Sequence, residues 1–215
     1  GGTESMSNMP LYFSRPAVAK FAAMSRARDF TGRAKAALNF RPADFAPVVG
    51  IKLGLTDPVS NLNMGQTAEV LAREFGITRD MQDVFAMRSH LRATQANHLL
   101  GQEIAPVLVK NVVATDNGIR ADSSLEKLAK LKPLFDSQTG SVTAGNSSQI
   151  TDGAVALLVA TEDAAAAHNW KPLGRLVSYS ATGCDPSRMG LGPVRAMDAA
   201  LHRSGWKLDV GDVIE

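Results

Sequence analysis

The spacing of apolar residues predicts two long helices in the middle of the chain. The first covers residues 66–75 and ends at Gly76, since glycine readily takes the left-handed backbone that closes a helix. The second begins after Thr78, whose hydroxyl can cap the first turn, and continues to Gly101. Its apolar residues, which we expect to pack against a core, are Met81, Val84, Phe85, Leu91 and Leu99.

Shorter elements are predicted after these helices. Apolar runs that begin at Ile104 and Val112 predict two short strands. Ser124 is a residue type that caps helices, and it begins a helix that continues until Pro133 ends it. Strands and helices are therefore mixed in this part of the chain.

Strands and helices alternate in the last third of the chain. The nearly continuous apolar run over 153–161 predicts a strand buried on both faces, and Thr161 caps the alanine-rich helix after it. Alternating apolar and polar residues over 173–183 predict a strand with one exposed face. Pro193 suits the first turn of another helix, which Gly205 ends. This β-α-β-α order is typical of an α/β fold.

Composition narrows the class of protein. The 215 residues are 45% hydrophobic and 20% charged, which is typical of a globular chain and not of a disordered or fibrous one. A net charge of +2 gives no indication of nucleic-acid binding, and we expect none. The single cysteine, Cys184, cannot form an internal disulfide, so we expect a reducing compartment: the cytoplasm of a bacterium or the matrix of a mitochondrion.

Two further classes are excluded by the pattern of apolar residues. No apolar run reaches the roughly 18 residues that cross a bilayer, so we expect no membrane span. The first residues lack the charged and apolar regions of a signal peptide. Both ends resemble interior segments of a longer sequence, and we expect the chain to be a fragment.

Residues 10–47 form a basic, amphipathic stretch. The acidic residues in it are Asp29 and Asp44, and apolar residues such as Phe21 and Phe30 are interleaved with the basic ones. One interpretation is a solvated helical face over an apolar stripe, and the other is an insertion that docks on a membrane surface or a partner. The basic residues are Arg15, Lys20, Arg26, Arg28, Arg33, Lys35 and Arg41.

Three features indicate ligand binding only weakly when each is taken alone. The small residues of 141–153 form a loop whose backbone can approach a ligand closely, although a plain structural loop is the simpler interpretation. Met64 begins a helix whose free N–H groups favour an anion. Arg120 can pair with a phosphate, but most lone arginines lie on the surface without a ligand.

Cysteine and histidine residues give no strong catalytic or metal signal. Cys184 has no histidine close in sequence, so a small packed residue is a simpler interpretation than a nucleophile. His90 and His98 lie on one predicted helix, eight residues apart, without an acidic third ligand nearby. We therefore expect no metal site.

Collinear segments along essentially the whole chain resemble the thiolase family. The segments that begin at Gly140 and Met189 are the most specific of them. The segments are GGTESMS at Gly1, LTD at Leu55, MGQTAE at Met64, ITRDMQDVFAMRSHLRA at Ile77, IRADSSLEKLAKLKPLFD at Ile119, GSVTAGNSSQITDGAVALLVATEDAA at Gly140 and MGLGPVRAMDAAL at Met189.

The resemblance implies part of a layered αβαβα thiolase fold with an inserted α+β loop domain that holds coenzyme A. On that pattern, residues 1–19 end the N-terminal half, and 20–150 form the loop domain, with the basic insertion at 10–47. Residues 151–171 then return as a strand and helix of the N-terminal half. Residues 172–215 begin the C-terminal half.

The catalytic groups implied by the resemblance lie outside this chain. Thiolases need a cysteine that forms an acyl thioester, a histidine that lowers the pKa of that thiol, a second cysteine for proton transfer, and an oxyanion hole. The nucleophile of the family precedes the segment at Gly1, and the other groups follow Glu215. We expect no catalytic residue here, no covalently bound cofactor, and no activity from the chain alone.

The residues that the resemblance places around coenzyme A remain in the chain. A pantetheine arm needs apolar walls with a few polar partners, and an arginine suits the nucleotide end. Two residues depart from the biosynthetic acetoacetyl-CoA thiolases, with Asn63 in place of histidine and Lys127 in place of a serine that contacts the coenzyme. The predicted coenzyme-binding residues are Leu55, Asn63, Met64, Arg120, Leu134, Phe135, Ala144 and Ser148, with Met189 close to the reacting groups.

The resemblance implies an acyltransferase whose parent protein cleaves 3-ketoacyl-CoA with free coenzyme A or runs the reverse condensation. The long basic stretch resembles the subunits of β-oxidation complexes, which favours the degradative kind. Alternatives are a noncatalytic thiolase-like subunit that binds coenzyme A or lipid, and a biosynthetic acetoacetyl-CoA thiolase. Implied partners are an acyl-CoA substrate, further copies in a homodimer or homotetramer, and a β-oxidation complex partner or membrane surface at 10–47.

Overall fold

The computed structural model describes the chain in two compact units. Its described residues are 1–108, 110–211 and 213–214. The first unit comprises Gly1–Asp57 and Ile150–Leu157, and the second comprises Pro58–Gln149 and Leu158–Glu215. No helix among the described residues combines the length and apolar character that a bilayer crossing needs.

The first unit combines two short antiparallel ribbons with helices. In the first ribbon, Gly2 lies opposite Val155 and Ser5 lies opposite Asp152. The ribbons are β1 (Gly2–Ser5) with β6 (Asp152–Val155), and β2 (Leu11–Tyr12) with β3 (Val48–Val49). The helices are α1 (Arg15–Arg26), α2 (Phe30–Ala37), α3 (Gly50–Gly54) and a 3₁₀ turn at Pro42–Phe45.

Aromatic rings within the basic stretch form a small cluster. The ring of Phe21 lies 5.2 Å from that of Phe13 and 4.8 Å from that of Phe40, measured between centroids. Asp44 is buried beside them, and it accepts a hydrogen bond of 2.5 Å from Lys20 Nζ, which holds the pKa of this carboxyl below its usual value. The stretch therefore packs apolar side chains on itself, while Phe30 stays 85% exposed.

The two long helices of the second unit match their sequence predictions in extent. Helix α4 spans Met64–Glu74 and α5 spans Arg79–Glu103. The Thr78 hydroxyl accepts the N–H of Met81 as the predicted cap, and Gly76 has the predicted positive φ of 62°.

The predicted core face of α5 is wrong. Asp83 is its buried residue, and its carboxylate accepts hydrogen bonds from Arg79 of the same helix and from Asn146 of a later segment in the same unit. The predicted apolar residues are exposed instead by 39–65%: Met81, Val84, Phe85, Leu91 and Leu99.

The remaining elements of the second unit are short, apart from one helix of 13 residues at Gly192–Ser204. The caps predicted at Ser124 and Thr161 accept backbone N–H groups, and Gly205 closes its helix at φ 71°, as predicted. The elements are an antiparallel hairpin of β4 (Val107–Leu108) and β5 (Val112–Val113), helices α6 (Leu125–Ala129), α7 (Glu162–Ala167) and α8 (Gly192–Ser204), and 3₁₀ turns at Pro186–Leu191 and Leu208–Val210.

Helix α6 is shorter than the sequence predicts. The helix expected to reach Pro133 ends at Ala129. The guanidinium of Arg79 donates to the carbonyls of Leu128, at 2.6 Å, and Leu131, at 3.0 Å. The Leu128 carbonyl also accepts the N–H of Leu131, so the chain leaves α6 through one tighter turn that the Arg79 side chain holds.

Two predicted strands differ from the structure. Of the apolar run over 153–161, only residues 153–155 lie in a strand, β6, and Val159 is 87% exposed instead of buried. Residues 173–183 form no strand. A strand buried on both faces needs neighbours on both edges and layers on both sides, whereas β6 pairs with β1 alone within the described residues.

Candidate functional site

A buried carboxylate holds the start of the small-residue loop at residues 140–149. Glu69 of α4 is 2% exposed. Its Oε1 accepts the backbone N–H groups of Ser141, at 2.9 Å, and Val142, at 2.8 Å, and its Oε2 accepts the Ser141 hydroxyl at 3.1 Å. That hydroxyl also accepts Gln82 Nε2 of α5 at 2.8 Å. Two helices therefore fix the backbone where the loop begins.

A second buried carboxylate joins the same loop to α5. Asp83 is 3% exposed, and its Oδ2 accepts Arg79 Nε at 2.8 Å while its Oδ1 accepts Asn146 Nδ2 at 2.9 Å. The same guanidinium donates to the carbonyls of Leu128 in α6 and of Leu131 just after it. A buried charge is stable only when it is paired and hydrogen-bonded, and both partners of Asp83 meet that need. Through these bonds the loop and the end of α6 are joined to one point on α5.

Asn146 closes the loop on itself. Its Oδ1 accepts the N–H of Thr143 at 2.7 Å, and its Nδ2 donates to the Ser141 carbonyl at 3.1 Å. Thr143 is completely buried by this folding. Ala144 and Ser148, both predicted ligand contacts, stay exposed on the outer side.

Hydrogen bonds join the Arg120 segment to this loop and to α5. Gln149 Nε2 donates to the Gly118 carbonyl at 2.6 Å, next to the predicted contact Ser148. The backbone N–H of Arg120 donates to His90 Nδ1 at 3.2 Å. The Arg120 side chain is exposed and makes no hydrogen bond within the described residues, so it is available to an anion.

Phe135 and Leu134 join the loop to the first turn of α4. The backbone N–H of Leu134 donates to the Val142 carbonyl at 3.0 Å. The Phe135 ring lies directly on Gly65, where a Cβ atom would come within 2.2 Å of the ring. Phe135 is thereby placed next to Met64, which begins the helix and is 49% exposed.

Met189 lies in the 3₁₀ turn that packs on α4. Its neighbour Arg188 donates from Nε to Glu74 Oε2 at 2.5 Å, and this carboxylate raises the pKa of the guanidinium. A Cβ added at Gly190 would come within 2.7 Å of Leu71 Cδ1, which shows how closely the turn approaches the helix. Met189 is 45% exposed beside this contact.

The remaining predicted residues lie elsewhere or have local partners. Leu55 belongs to the first unit, where it ends α3. Asn63 caps α4 by accepting the N–H of Gln66 at 2.9 Å, and its own N–H donates to the Gln66 side chain. Lys127 donates to Asp122 Oδ2 at 2.5 Å, and this bond holds the pKa of that aspartate below its usual value.

The cysteine and histidines do not form a catalytic pair. Cys184 is exposed, and its Sγ lies near Gly192, with no hydrogen bond to a histidine within the described residues. His90 accepts the Arg120 N–H, and His98 Nδ1 lies 3.1 Å from the Gln95 carbonyl. The described part of the chain has no group of three or more residues that could hold a metal ion.

Sequence reasoning missed the residues that hold the loop in place. Glu69 and Asp83 lie within predicted helices, where acidic residues are normally solvated, and Asn146 appears as one small polar residue among several. The local sequence gives the opposite signal, since Arg73 lies four positions after Glu69, where a basic residue can pair with an exposed acid on a helix surface. In the structure Arg73 bonds to Asp136 instead.

Comparisons with known proteins match both parts of one family. The thiolase N-terminal domain matches residues 1–163, and the thiolase C-terminal domain matches residues 170–215. A 3-ketoacyl-CoA thiolase of Photorhabdus laumondii is 45% identical over 181 residues, which are 80% of this chain and 45% of the relative. A 3-ketoacyl-CoA thiolase of Escherichia coli O157:H7 is 39% identical over 211 residues, 95% of this chain and 48% of that protein.

Solved structures agree with the sequence relatives. Acetyl-CoA acetyltransferase of Bacillus anthracis matches with a TM-score of 0.83 at 33% identity, over 99% of this chain and 50% of the other. Human mitochondrial 3-ketoacyl-CoA thiolase in complex with CoA matches with a TM-score of 0.79 at 36% identity, over 99% and 49%. The predicted partial thiolase fold is thereby confirmed. The chain spans about half the length of the curated relatives it matches, and it belongs to the thiolase family.

Proposed function

We propose that this chain is the coenzyme A-binding part of a thiolase subunit. The observation that carries the proposal is the loop at 140–149, which Glu69 and Asp83 hold from the inside. Further bonds connect this loop to the segments of Arg120 and Leu134. The solved human relative that matches the fold is a complex with CoA, which supports the same ligand class.

The chemistry of the connected segments suits the two ends of coenzyme A. Phe135, Leu134 and Met64 offer apolar surface for the pantetheine arm. Ser148 and the loop backbone offer polar partners, and the exposed guanidinium of Arg120 suits the phosphates at the nucleotide end. A loop fixed before binding loses less conformational entropy when the ligand arrives.

The proposed reaction of the whole protein is thiolytic cleavage of a 3-ketoacyl-CoA. A cysteine thiolate attacks the 3-keto carbon, the bond to the acetyl-CoA unit breaks, and that unit takes a proton. Free coenzyme A then receives the acyl group from the cysteine, which yields a shortened acyl-CoA. The groups for these steps are proposed to lie outside residues 1–215, so the chain binds coenzyme A and does not turn it over.

The pathway type, partners and compartment of the parent enzyme are also proposed. The long basic stretch at 10–47 supports the degradative, β-oxidation kind, with a partner subunit or membrane surface as its contact. We propose a dimeric or tetrameric parent enzyme in the bacterial cytoplasm or the mitochondrial matrix. The division into halves at 1–19, 20–150, 151–171 and 172–215 stays a prediction.

Titration of the purified chain with coenzyme A and with pantetheine tests the proposal. Because Arg120 is proposed to contact the nucleotide end, Arg120→Ala should weaken coenzyme A binding about tenfold or more and leave pantetheine binding unchanged. Arg28→Ala is the matched control, since it removes the same charge from an exposed position in the first unit. Isothermal titration calorimetry measures both affinities.

Three outcomes would contradict the proposal. Undetectable coenzyme A binding by the unmodified chain would remove its basis, and an equal loss in Arg28→Ala would show a general charge effect. Cleavage of acetoacetyl-CoA by a mass-verified sample of these 215 residues would show that the catalytic groups are misplaced.

A further inference from the structure

We infer that Glu69 is a positioning residue for coenzyme A. It acts on the ligand without contact, because it sets the backbone of residues 141–148. This inference rests on the proposed function. Glu69 accepts two successive backbone N–H groups and one hydroxyl from the start of that loop. The loop then presents Ala144 and Ser148 at the surface.

The burial of Glu69 makes the carboxylate and the loop depend on each other. The side chain is 2% exposed, and in the described part of the chain it forms no salt bridge. A buried carboxylate without a cation is stable only when donors surround it. Here Ser141 and Val142 supply those donors, so a loop in another conformation would leave the charge without partners.

The sequence at the start of the loop fits this close approach. A Cβ atom at Gly140 would come within 2.8 Å of Glu69 Oε1 and within 2.3 Å of the Asp136 carbonyl oxygen. Only glycine leaves room there for both neighbours. Gln82 Nε2 donates to the Ser141 hydroxyl, which leaves the hydroxyl proton directed at Glu69.

The effect of Glu69 extends beyond the loop to the apolar wall. The carbonyl of Val142, whose N–H is bound by Glu69, accepts the backbone N–H of Leu134 at 3.0 Å. Phe135 follows directly and packs on Gly65 of the helix that carries Glu69. One carboxylate therefore sets the polar edge and the apolar wall of the proposed site together.

Two substitutions and a control separate positioning from general stability. Glu69→Ala removes every acceptor, whereas Glu69→Gln keeps one oxygen for the two N–H groups and should retain most of the function. Glu103→Gln removes the same charge from an exposed position at the end of α5. Hydrogen exchange of residues 141–149, coenzyme A affinity and thermal midpoint are measured for all three.

We expect amide exchange at 141–149 in Glu69→Ala to rise about tenfold or more, with coenzyme A affinity falling by a similar factor. Glu69→Gln should lie between Glu69→Ala and the unmodified chain, and Glu103→Gln should match the latter. If Glu69→Ala fails to fold, Glu69→Gln tests the inference instead. Its amide exchange at 141–149 must then rise and its coenzyme A affinity must fall together, while amide exchange in α8 stays unchanged.

Contradicting results are distinguishable from failure of the proposed function. Unchanged exchange at 141–149 would refute the anchoring role, whatever the ligand data. Faster exchange with unchanged coenzyme A affinity would show an anchor that does not position the ligand. An unmodified chain that does not bind coenzyme A would instead refute the proposed function, with the exchange data still deciding the role of Glu69 in the loop.

Discussion

At the scale of single residues, Asp136 gathers several donors around one carboxylate. It accepts the Thr139 hydroxyl at 2.6 Å and the backbone N–H groups of Thr139 and Gln138, each at 3.1 Å. Arg73 Nη1 of α4 lies 3.0 Å from its Oδ2. These bonds, led by that of the Thr139 hydroxyl, lower the pKa of Asp136 from 3.8 to about 2.

The lowered pKa predicts how the contribution of Asp136 to stability depends on pH. Because the folded pKa lies below the ordinary value of 3.8, the contribution is complete above that pH and is lost as the pH falls towards 2. Asp136→Asn should lower the urea midpoint at pH 7, and the difference from the unmodified chain should shrink at pH 3. Asp116→Asn, at an exposed position, is the control. A difference of equal size at both pH values would contradict the prediction.

Residue chemistry also limits how much of the candidate site the sequence could predict. Arg120, Phe135 and Ser148 were assigned by their places in family-like segments, and their role in binding coenzyme A stays a prediction. The burial of Glu69 and Asp83 was not predicted, because an acidic residue in a predicted helix is normally exposed to solvent. Glu69 is held by backbone N–H groups about seventy residues further along, and Asp83 by the side-chain amide of Asn146 about sixty residues further along, which no local pattern encodes.

At the scale of elements, helices were predicted better than strands. A helix is specified by its own sequence and caps, so Thr78 and Gly205 marked real helix ends. A strand forms only where a neighbouring strand pairs with it, and the apolar pattern over 153–161 and 173–183 does not show whether such a neighbour exists. The orientation of α5 was wrong for the same reason, because the Asp83 contacts are distant in sequence.

The same glycine-to-alanine change at two helical positions should have opposite effects. Gly65→Ala places a methyl group against the Phe135 ring and should cost about 1–3 kcal/mol, because the ring must move. Gly101→Ala meets open space in α5 and should stabilise by about 0.5–1 kcal/mol through helix propensity. Urea unfolding measures both. Gly65→Ala should also weaken coenzyme A binding, and equal stabilisation by both variants would contradict the Phe135 contact.

At the scale of the whole molecule, large apolar side chains are exposed in both units. Leu157 in the first unit and Leu158 and Leu176 in the second are each 78% exposed. The buried apolar residues of the described chain are few and mostly small: Ala17, Ala72, Leu128, Val142 and Ala165.

The exposed apolar side chains predict a weak dependence of stability on denaturant. The urea m-value scales with the surface that unfolding newly exposes, and side chains that are already exposed in the folded chain add little to it. The m-value should therefore lie below the usual value for proteins of equal length. Far-UV circular dichroism and the fluorescence of Trp170 and Trp206 should be compared, since separate transitions also lower an apparent m-value. A full-sized m-value that is independent of protein concentration would contradict the prediction, because an isolated chain would then bury the apolar surface that this structure leaves exposed.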